Sequence, residues 1–419
     1  MSKRQERRIA DALTTADLWR LADKRIPPIA FEYFRGAADD EITARGNVQA
    51  FQQSMVTAKS ALRFESVDMS TTAVGFDMAV PWYISPVGSL CTLTPSGDAV
   101  ASRVAGDFGT VMAQSTLSGT PMEEVTAASS GDCWFQLYLL GGKETALRTI
   151  ARARDAGFGA LVLTIDTGVS GFRARHERMK PMAVMAPFAG KSVPEMVGLA
   201  ARRLAVGPQF VTRLPFLAQY FADGGLMEFV NALDADGNPL PYTDIGTQLG
   251  ASAITWSDLG WVKEAWGDDK PLIVKGVHCA RDARQAEELG ATAVVWSNHG
   301  GRQQDRVPPV LHIVEQEMPE VGDTELEFFM DGGIRNGTDV LIALSHGLRA
   351  VGIGRVTAAG LGAGGYAGLT RAFEILTAEF DRAMRLVGVQ SVDELREAGP
   401  ALRRDSLLHG DQHLPEFVF

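Results

Sequence analysis

The chain has 419 residues, and its 51 acidic and 40 basic side chains give a net charge of −11 at neutral pH. With 46% hydrophobic and 22% charged residues it has the composition of a globular protein of one large or two ordinary domains, which excludes disordered, coiled-coil and collagen-like chains. The acidic balance also disfavours a nucleic-acid-binding surface.

Targeting and redox features indicate the compartment. No apolar run reaches the roughly 18 residues of a membrane-spanning helix, and the basic start is not followed by the apolar core of a secretory signal. Cys91, Cys133 and Cys279 are far apart and lack metal-ligand spacing. We therefore expect a cytoplasmic protein with reduced thiols and no metal site.

The predicted elements begin with a helical extension over residues 1–75. Leu18, Leu21 and Ala22 lie on one face of a helix that Thr14 or Thr15 can cap. We expect this extension to pack on a second unit, residues 76–419.

Eight short apolar runs follow, without the polar alternation of a half-exposed strand, as is typical of parallel strands buried on both faces. They are residues 82–85, 110–115, 134–139, 160–166, 271–275, 293–297, 327–331 and 350–354. Amphipathic segments between them predict helices at 144–156, 280–289 and 339–345, the last capped by Thr338. This alternation predicts an α/β fold, a (β/α)₈ TIM barrel.

One connection is much longer than a helical crossover. After the fourth strand, an insert at about 176–250 mixes Pro, Gly, Met and Phe with scattered charges, and loops of this length are typically functional lids or disordered. Membrane contact through this insert is the less favoured alternative, because charged residues interrupt any apolar face. They are Arg202, Arg203, Arg213, Asp223 and Glu228.

Polar residues follow the strands, and in such barrels the active site lies where the strands end. After strands seven and eight, Asp331, Gly333, Arg335, Gly354 and Arg355 suit a phosphate group, since glycine allows close backbone approach and arginine offers forked donors.

A second group of polar residues suits acid–base chemistry. His299 ends the sixth strand and is a candidate general base, Asp166 is a candidate partner for it, and Arg302 suits a carboxylate. Lys275 ends the fifth strand, where a buried cation needs an anionic partner such as a reduced flavin ring.

In these motifs the sequence resembles the FMN-dependent α-hydroxy acid oxidase and dehydrogenase family. This family includes glycolate oxidase, lactate dehydrogenase, lactate monooxygenase and mandelate dehydrogenase. The resemblance extends in order from about residue 31 to 355. It rests on SNHGGRQQD at 297–305, WFQLY at 134–138, LTIDT at 163–167, IVKG at 273–276 and DGGIR at 331–335.

The resemblance implies FMN as cofactor, a homotetramer or octamer, and a role for each matching residue. His299 would take the substrate proton with Asp166 as its partner, Arg302 and Arg173 would bind the carboxylate, and Tyr138 would lie near the hydroxyl. Lys275 would stabilise the reduced flavin at its N1/O2 edge. The other implied cofactor-binding residues are Pro86, Gly88, Ser115, Gln136, Thr164 and Ser297 around the ring, and Asp331, Gly333, Arg335, Gly354 and Arg355 towards the phosphate.

Three departures from the family pattern bear on substrate and acceptor. Phe31 stands where we expect the family's carboxylate-binding tyrosine, Leu117 replaces a tryptophan, and Gly88 replaces the alanine common in oxidases. We therefore predict a bulky, aromatic, mandelate-like 2-hydroxy acid or a carboxylate-free analogue. We also expect electrons to pass from FMN to a quinone or protein acceptor, with oxygen as the alternative. The alternatives are a non-catalytic flavin-binding or membrane-docking protein, and another flavin barrel enzyme such as an isomerase.

Overall fold

A computed structural model describes residues 2–179, 193–222, 228–234, 236–240, 249–250 and 253–404. At its centre is a closed barrel of eight parallel strands, which confirms the predicted fold and all eight strand positions. The strands are β1 (Trp82–Ile84), β2 (Met112–Ser115), β3 (Cys133–Leu137), β4 (Ala160–Thr164), β5 (Leu272–Val277), β6 (Ala293–Trp296), β7 (Glu327–Asp331) and β8 (Ala350–Ile353).

Helices flank the barrel. They are α1 (Lys3–Ala10), α2 (Thr15–Arg25), α3 (Pro28–Arg35), α4 (Ile42–Gln53), α5 (Gly97–Asp107), α6 (Met122–Ala128), α7 (Lys143–Asp155), α8 (Ala174–Met179), α9 (Val193–Val211), α10 (Leu214–Ala222), α11 (Trp256–Trp266), α12 (Ala280–Glu288), α13 (Val310–Glu317), α14 (Gly337–Leu344), α15 (Arg355–Val387) and α16 (Val392–Leu402). Thr14 caps α2 as predicted. The cap of α14 is Asn336 rather than Thr338, because the Asn336 side chain accepts from the Asp339 backbone N–H at 3.0 Å.

The helical part of the N-terminal extension ends at Gln53, before the predicted residue 75. Strand Met55–Val56 then pairs with Arg403–Arg404, and Thr71–Ala73 forms a hairpin with Phe76–Met78. The side chains of this hairpin pack among the barrel's interior residues, so the predicted boundary between 75 and 76 falls inside a hairpin that closes one end of the barrel.

The long insert lies between β4 and β5 as predicted, and contains α8 to α10 and a hairpin of Phe229–Leu233 with Pro239–Leu240. Helices α9 and α10 contact the extension: the Gln209 side chain accepts from the Ile29 backbone N–H at 3.2 Å, and Arg25 donates to Gln219 at 2.7 Å. Much of the predicted lid, at 180–192, 223–227 and 241–248, lies outside the described residues. Within the described part of the chain, no helix is long and apolar enough to cross a membrane.

Strand register brings the predicted site residues together. Ser115 of β2 is level with Gln136 of β3, and Thr164 of β4 is level with Lys275 of β5. On the other side of the barrel, Asp331 of β7 is level with Gly352 of β8. Since all eight strands are parallel, these residues reach the same end of the barrel.

Candidate active site

A pocket of about 120 Å³ lies at the carboxyl ends of the barrel strands. Most of the predicted site residues line it: Pro86, Gly88, Ser115, Leu117, Tyr138, Lys275, His299, Arg302, Asp331, Gly333, Arg335, Gly354 and Arg355. Phe31 lies elsewhere, and the remaining predicted residues stand directly behind this lining. They are Gln136, Thr164, Ser297, Asp166 and Arg173.

His299 and Asp166 form the predicted pair. The His299 Nδ1 atom lies 3.1 Å and 3.2 Å from the two carboxylate oxygens of Asp166, which leaves Nε2 as the nitrogen free to act in the pocket. Burial alone would raise the pKa of Asp166, but the charge and hydrogen bond of His299, with Lys275, hold it below its ordinary value. A carboxylate that stays ionised stabilises a positive charge arriving on the imidazole.

Lys275 is a buried cation held by two neighbours. Its Nζ donates to Ser297 Oγ at 2.7 Å and lies 3.2 Å from Asp331 Oδ2, while Ser297 Oγ donates to Asp331 Oδ1 at 2.5 Å. The sequence suggested a flavin ring as the anionic partner of Lys275, and the structure shows that Asp331 also fills that role. The third ammonium proton remains available for a group in the pocket.

Arg173, Arg302 and Tyr33 form a cationic wall. The guanidinium carbons of Arg302 and Arg173 lie 4.7 Å and 5.7 Å from the centre of the Tyr33 ring. Burial, with the like charge of Arg173, lowers the pKa of Arg302 to about 9. Neither arginine forms an ion pair with an acidic side chain within the described ranges. Two adjacent cations without a counter-ion favour an anionic ligand such as a carboxylate.

The prediction that Phe31 faces the substrate is wrong. Its side chain is 1% exposed and packs in the core, with its ring 4.7 Å from that of Trp19. Residues two apart on a helix point about 200° apart, so when Phe31 of α3 faces the core, Tyr33 faces the pocket. Tyr33, two residues further along, therefore brings a tyrosine side chain to the pocket.

The rest of the pocket fits FMN. The Nε2 atom of Gln136 and the Oγ1 atom of Thr164 are buried and have no hydrogen-bond partner among the described residues. Ser115 Oγ donates to the side-chain oxygen Oε1 of Gln136 at 3.1 Å, which directs the unpaired Nε2 atom of the same side-chain amide. Since buried polar groups normally have partners, these two atoms indicate a polar ligand such as a flavin ring edge.

The far end of the pocket suits the phosphate. Arg335 is buried and Arg355 is half-buried. Burial lowers the pKa of Arg335 to about 10 and that of Arg355, beside the Arg335 charge, to about 9. Arg355 also begins helix α15, whose positive dipole end adds to their charges. A doubly charged anion would offset the repulsion between these two cations.

Gly88 allows a close approach between two loops. A Cβ atom at Gly88 would lie 2.5 Å from Leu117 Cβ and 2.8 Å from the Leu117 carbonyl oxygen. Leu117 therefore occupies the position that the methyl group of an alanine at residue 88 would take. Leu117 itself packs with Tyr138 and with Phe229 and Leu240 of the insert hairpin.

The comparisons agree with this site. A family model described as FMN-dependent dehydrogenase matches residues 22–401, and the chain belongs to that family. It is 34% identical to an L-lactate dehydrogenase of Caulobacter vibrioides, over 92% of this chain and 96% of the relative. It is also 29% identical to a 2-hydroxyacid oxidase of Dictyostelium discoideum, over 95% of this chain and 92% of the relative.

Solved structures give the same result. The crystal structure of a monotopic membrane protein, (S)-mandelate dehydrogenase, superposes with a TM-score of 0.79 at 28% identity, covering 94% of this chain and 100% of that one. The protein is therefore an FMN-dependent enzyme of the family that oxidises 2-hydroxy acids.

Proposed function

We propose that this enzyme oxidises a bulky, aromatic 2-hydroxy acid of the mandelate type to the 2-keto acid. The observation that carries the proposal is the arrangement of the pocket, with the His299–Asp166 pair and the cationic wall of Arg173, Arg302 and Tyr33 around one space. A 2-hydroxy acid carries its acidic hydroxyl and its carboxylate on adjacent carbons, so one pocket can hold both.

Each side chain has a defined task in this reaction. Arg302, Arg173 and the Tyr33 hydroxyl bind the carboxylate, which orients the substrate hydroxyl towards His299 Nε2. His299 takes the hydroxyl proton, and the ionised Asp166 stabilises the resulting imidazolium. Bound FMN supplies the two-electron acceptor for the substrate carbon. Ser115, Gln136, Thr164, Ser297 and Lys275 would hold its ring, with Pro86 and Gly88 against it, and Asp331, Gly333, Arg335, Gly354 and Arg355 would hold the phosphate end.

An apolar wall supports the preference for a large substrate. Leu117, Tyr138, Phe229 and Leu240 form one cluster, and the first two also line the pocket. An aromatic ring on the 2-hydroxy acid buries more apolar surface against such a wall than a methyl group or a hydrogen atom at the same position does. Because Tyr33 completes the carboxylate site, we propose a free acid as the substrate.

For the acceptor we propose a quinone or protein rather than oxygen. The relatives include an L-lactate dehydrogenase and a 2-hydroxyacid oxidase, and the similar solved structure described above is a mandelate dehydrogenase. Stopped-flow reoxidation compares the two directly. We expect artificial quinones to reoxidise the reduced enzyme faster than oxygen, and the reverse order would overturn this assignment.

Membrane docking through the insert is a second candidate property. Leu204, Val211, Leu214 and Phe221 of helices α9 and α10 are 80%, 67%, 61% and 66% exposed, and the similar mandelate dehydrogenase is described as a monotopic membrane protein. Four exposed apolar side chains on two consecutive helices favour an interaction surface. Co-sedimentation with anionic lipid vesicles tests it, with the double variant Leu204→Ser/Phe221→Ser as control. Recovery of the wild type in the supernatant would exclude docking.

The substrate assignment is tested by kcat/KM across glycolate, lactate, mandelate and a mandelate ester. We expect mandelate to be the best of the four. Glycolate or lactate as the best substrate would contradict the proposed size preference, and the ester as the best would contradict the proposed carboxylate site.

A further inference from the structure

Three consecutive residues of helix α3 face three different surroundings. Phe31 packs in the core and Tyr33 faces the pocket, as described above. Successive residues on a helix point about 100° apart, so Glu32 between them faces a third direction, towards helix α8 of the insert. Its side chain is only 4% exposed, and the reaction chemistry derived above gives it no task. A carboxylate buried in this way needs a cationic partner.

Arg175 of α8 is that partner. Its Nε atom lies 2.8 Å from Glu32 Oε1, and its Nη1 atom donates to Glu41 Oε2 at 3.0 Å. Arg35 is more distant, with its Nη1 atom 3.9 Å from Glu32 Oε2. Burial raises the pKa of Glu32, and the charges of Arg175 and Arg35 oppose this rise. Arg175 therefore joins α8 to α3 and to the residue that precedes α4.

The same part of the insert makes two contacts with Tyr33. Arg173, immediately before α8, has its guanidinium carbon 5.7 Å from the centre of the Tyr33 ring. His176, the residue after Arg175, is buried and lies edge-on to that ring, with the two ring centres 5.9 Å apart. The Glu32–Arg175 ion pair is thus one residue from Tyr33 along α3 and two residues from Arg173 along the insert. It lies beside both of these parts of the carboxylate site.

The cationic wall needs something to hold it together when no substrate is bound. Like charges repel, and the charge of Arg173 already contributes to the lowered pKa of Arg302. Arg173 also stands at the start of the long insert rather than on a barrel strand. A tie between α8 and α3 therefore opposes the movement of Arg173 away from Tyr33 and Arg302.

We propose that the Glu32–Arg175 ion pair is a latch that fixes Arg173 against Tyr33 and thereby sets the preference of the enzyme for a free carboxylate. Both members of the latch are positioning residues, since neither lines the substrate pocket. The inference rests on the proposed function, because it assumes that the wall arginines bind a substrate carboxylate.

A double-mutant cycle tests the latch. It compares wild type, Glu32→Gln, Arg175→Gln and the double variant, each as FMN-loaded protein with the melting temperature recorded. The matched controls are Glu177→Gln and Arg178→Gln, which remove the same charges from exposed positions of α8. Each protein is assayed for kcat and KM with mandelate and with its ester.

We expect each single latch variant to lose roughly tenfold in kcat/KM for mandelate, less than the ~10² that a displacement of 1 Å can cost. The loss should fall mainly on KM, because the wall binds the carboxylate before and during the reaction alike. The ester should lose far less, and both control variants should match the wild type. Because the two residues act as one unit, the double variant should lose no more than either single variant.

Several results would overturn the inference. They are unchanged kcat/KM for mandelate in the single variants, equal losses for acid and ester, and losses that multiply in the double variant. If a single variant does not fold, the double variant, which leaves no unpaired charge at residue 32, still shows whether the preference for the acid is lost. A wild type that oxidises no 2-hydroxy acid would instead overturn the proposed function.

Discussion

Removing one hydroxyl from the cationic wall should weaken substrate binding without affecting folding. In Tyr33→Phe the ring keeps its contacts with Arg173 and Arg302, 5.7 Å and 4.7 Å away, and only the hydroxyl is lost. A hydrogen bond to a charged group is typically worth ~1.5 to 3 kcal/mol. At about 1.4 kcal/mol per factor of ten this predicts a fall of about 10- to 140-fold in kcat/KM for a free 2-hydroxy acid.

The assay is steady-state kinetics with mandelate and its ester. Because the ester has no carboxylate charge, Tyr33→Phe should reduce kcat/KM for the ester much less than for the acid. The matched control is Phe31→Leu, which alters a side chain packed on Trp19 in the core. It should lower the melting temperature and leave the preference for acid over ester unchanged. An equal loss for acid and ester in Tyr33→Phe, or a changed preference in Phe31→Leu, would refute this assignment.

Three further predictions concern other titratable groups. His299→Gln removes the group placed to take the hydroxyl proton, so single-turnover reduction of the bound FMN should slow by about 10² to 10⁴; near-normal rates would mean that another residue is the base. Lys275→Met removes the ammonium paired with Asp331 at 3.2 Å. The purified variant should still be yellow but should be reduced far more slowly, and a wild-type reduction rate would contradict the role of Lys275. Asp98 is fully buried, and burial raises its pKa from 3.8 to about 7. The stability that the protonated Asp98 contributes is therefore complete below its unfolded pKa and is lost as the pH rises through about 7. Between pH 5 and 8 the melting temperature of the wild type should fall more than that of Asp98→Asn. Equal falls in the two proteins would contradict this prediction.

The barrel could be predicted because its strands carry a strong local signal. Strands buried on both faces are short, continuous apolar runs, such as Ala160–Thr164, in which every residue is buried. Their order along the chain then fixes which polar residues follow them, so the sequence alone places His299, Asp166 and Lys275 at one rim of the barrel.

The predictions from sequence failed where the direction of a side chain depends on how its helix or loop packs. Phe31 and Tyr33 lie on one short helix, and which of them faces the pocket depends on how α3 sits against Trp19 and the barrel. Similarly, the close approach of Leu117 to Gly88 joins two different loops, so it depends on packing rather than on local sequence. The Lys275–Asp331 ion pair also joins residues far apart in sequence, and no local pattern reveals such a contact.

The central claim is that a 2-hydroxy acid transfers two electrons to FMN in this pocket. The most direct test is anaerobic mixing of the FMN-loaded enzyme with glycolate, lactate and mandelate while the flavin absorbance is followed. We predict that mandelate bleaches the flavin fastest and that His299→Gln bleaches at least ~10² more slowly with the same acid. A yellow, FMN-loaded enzyme that none of these acids bleaches would contradict the account.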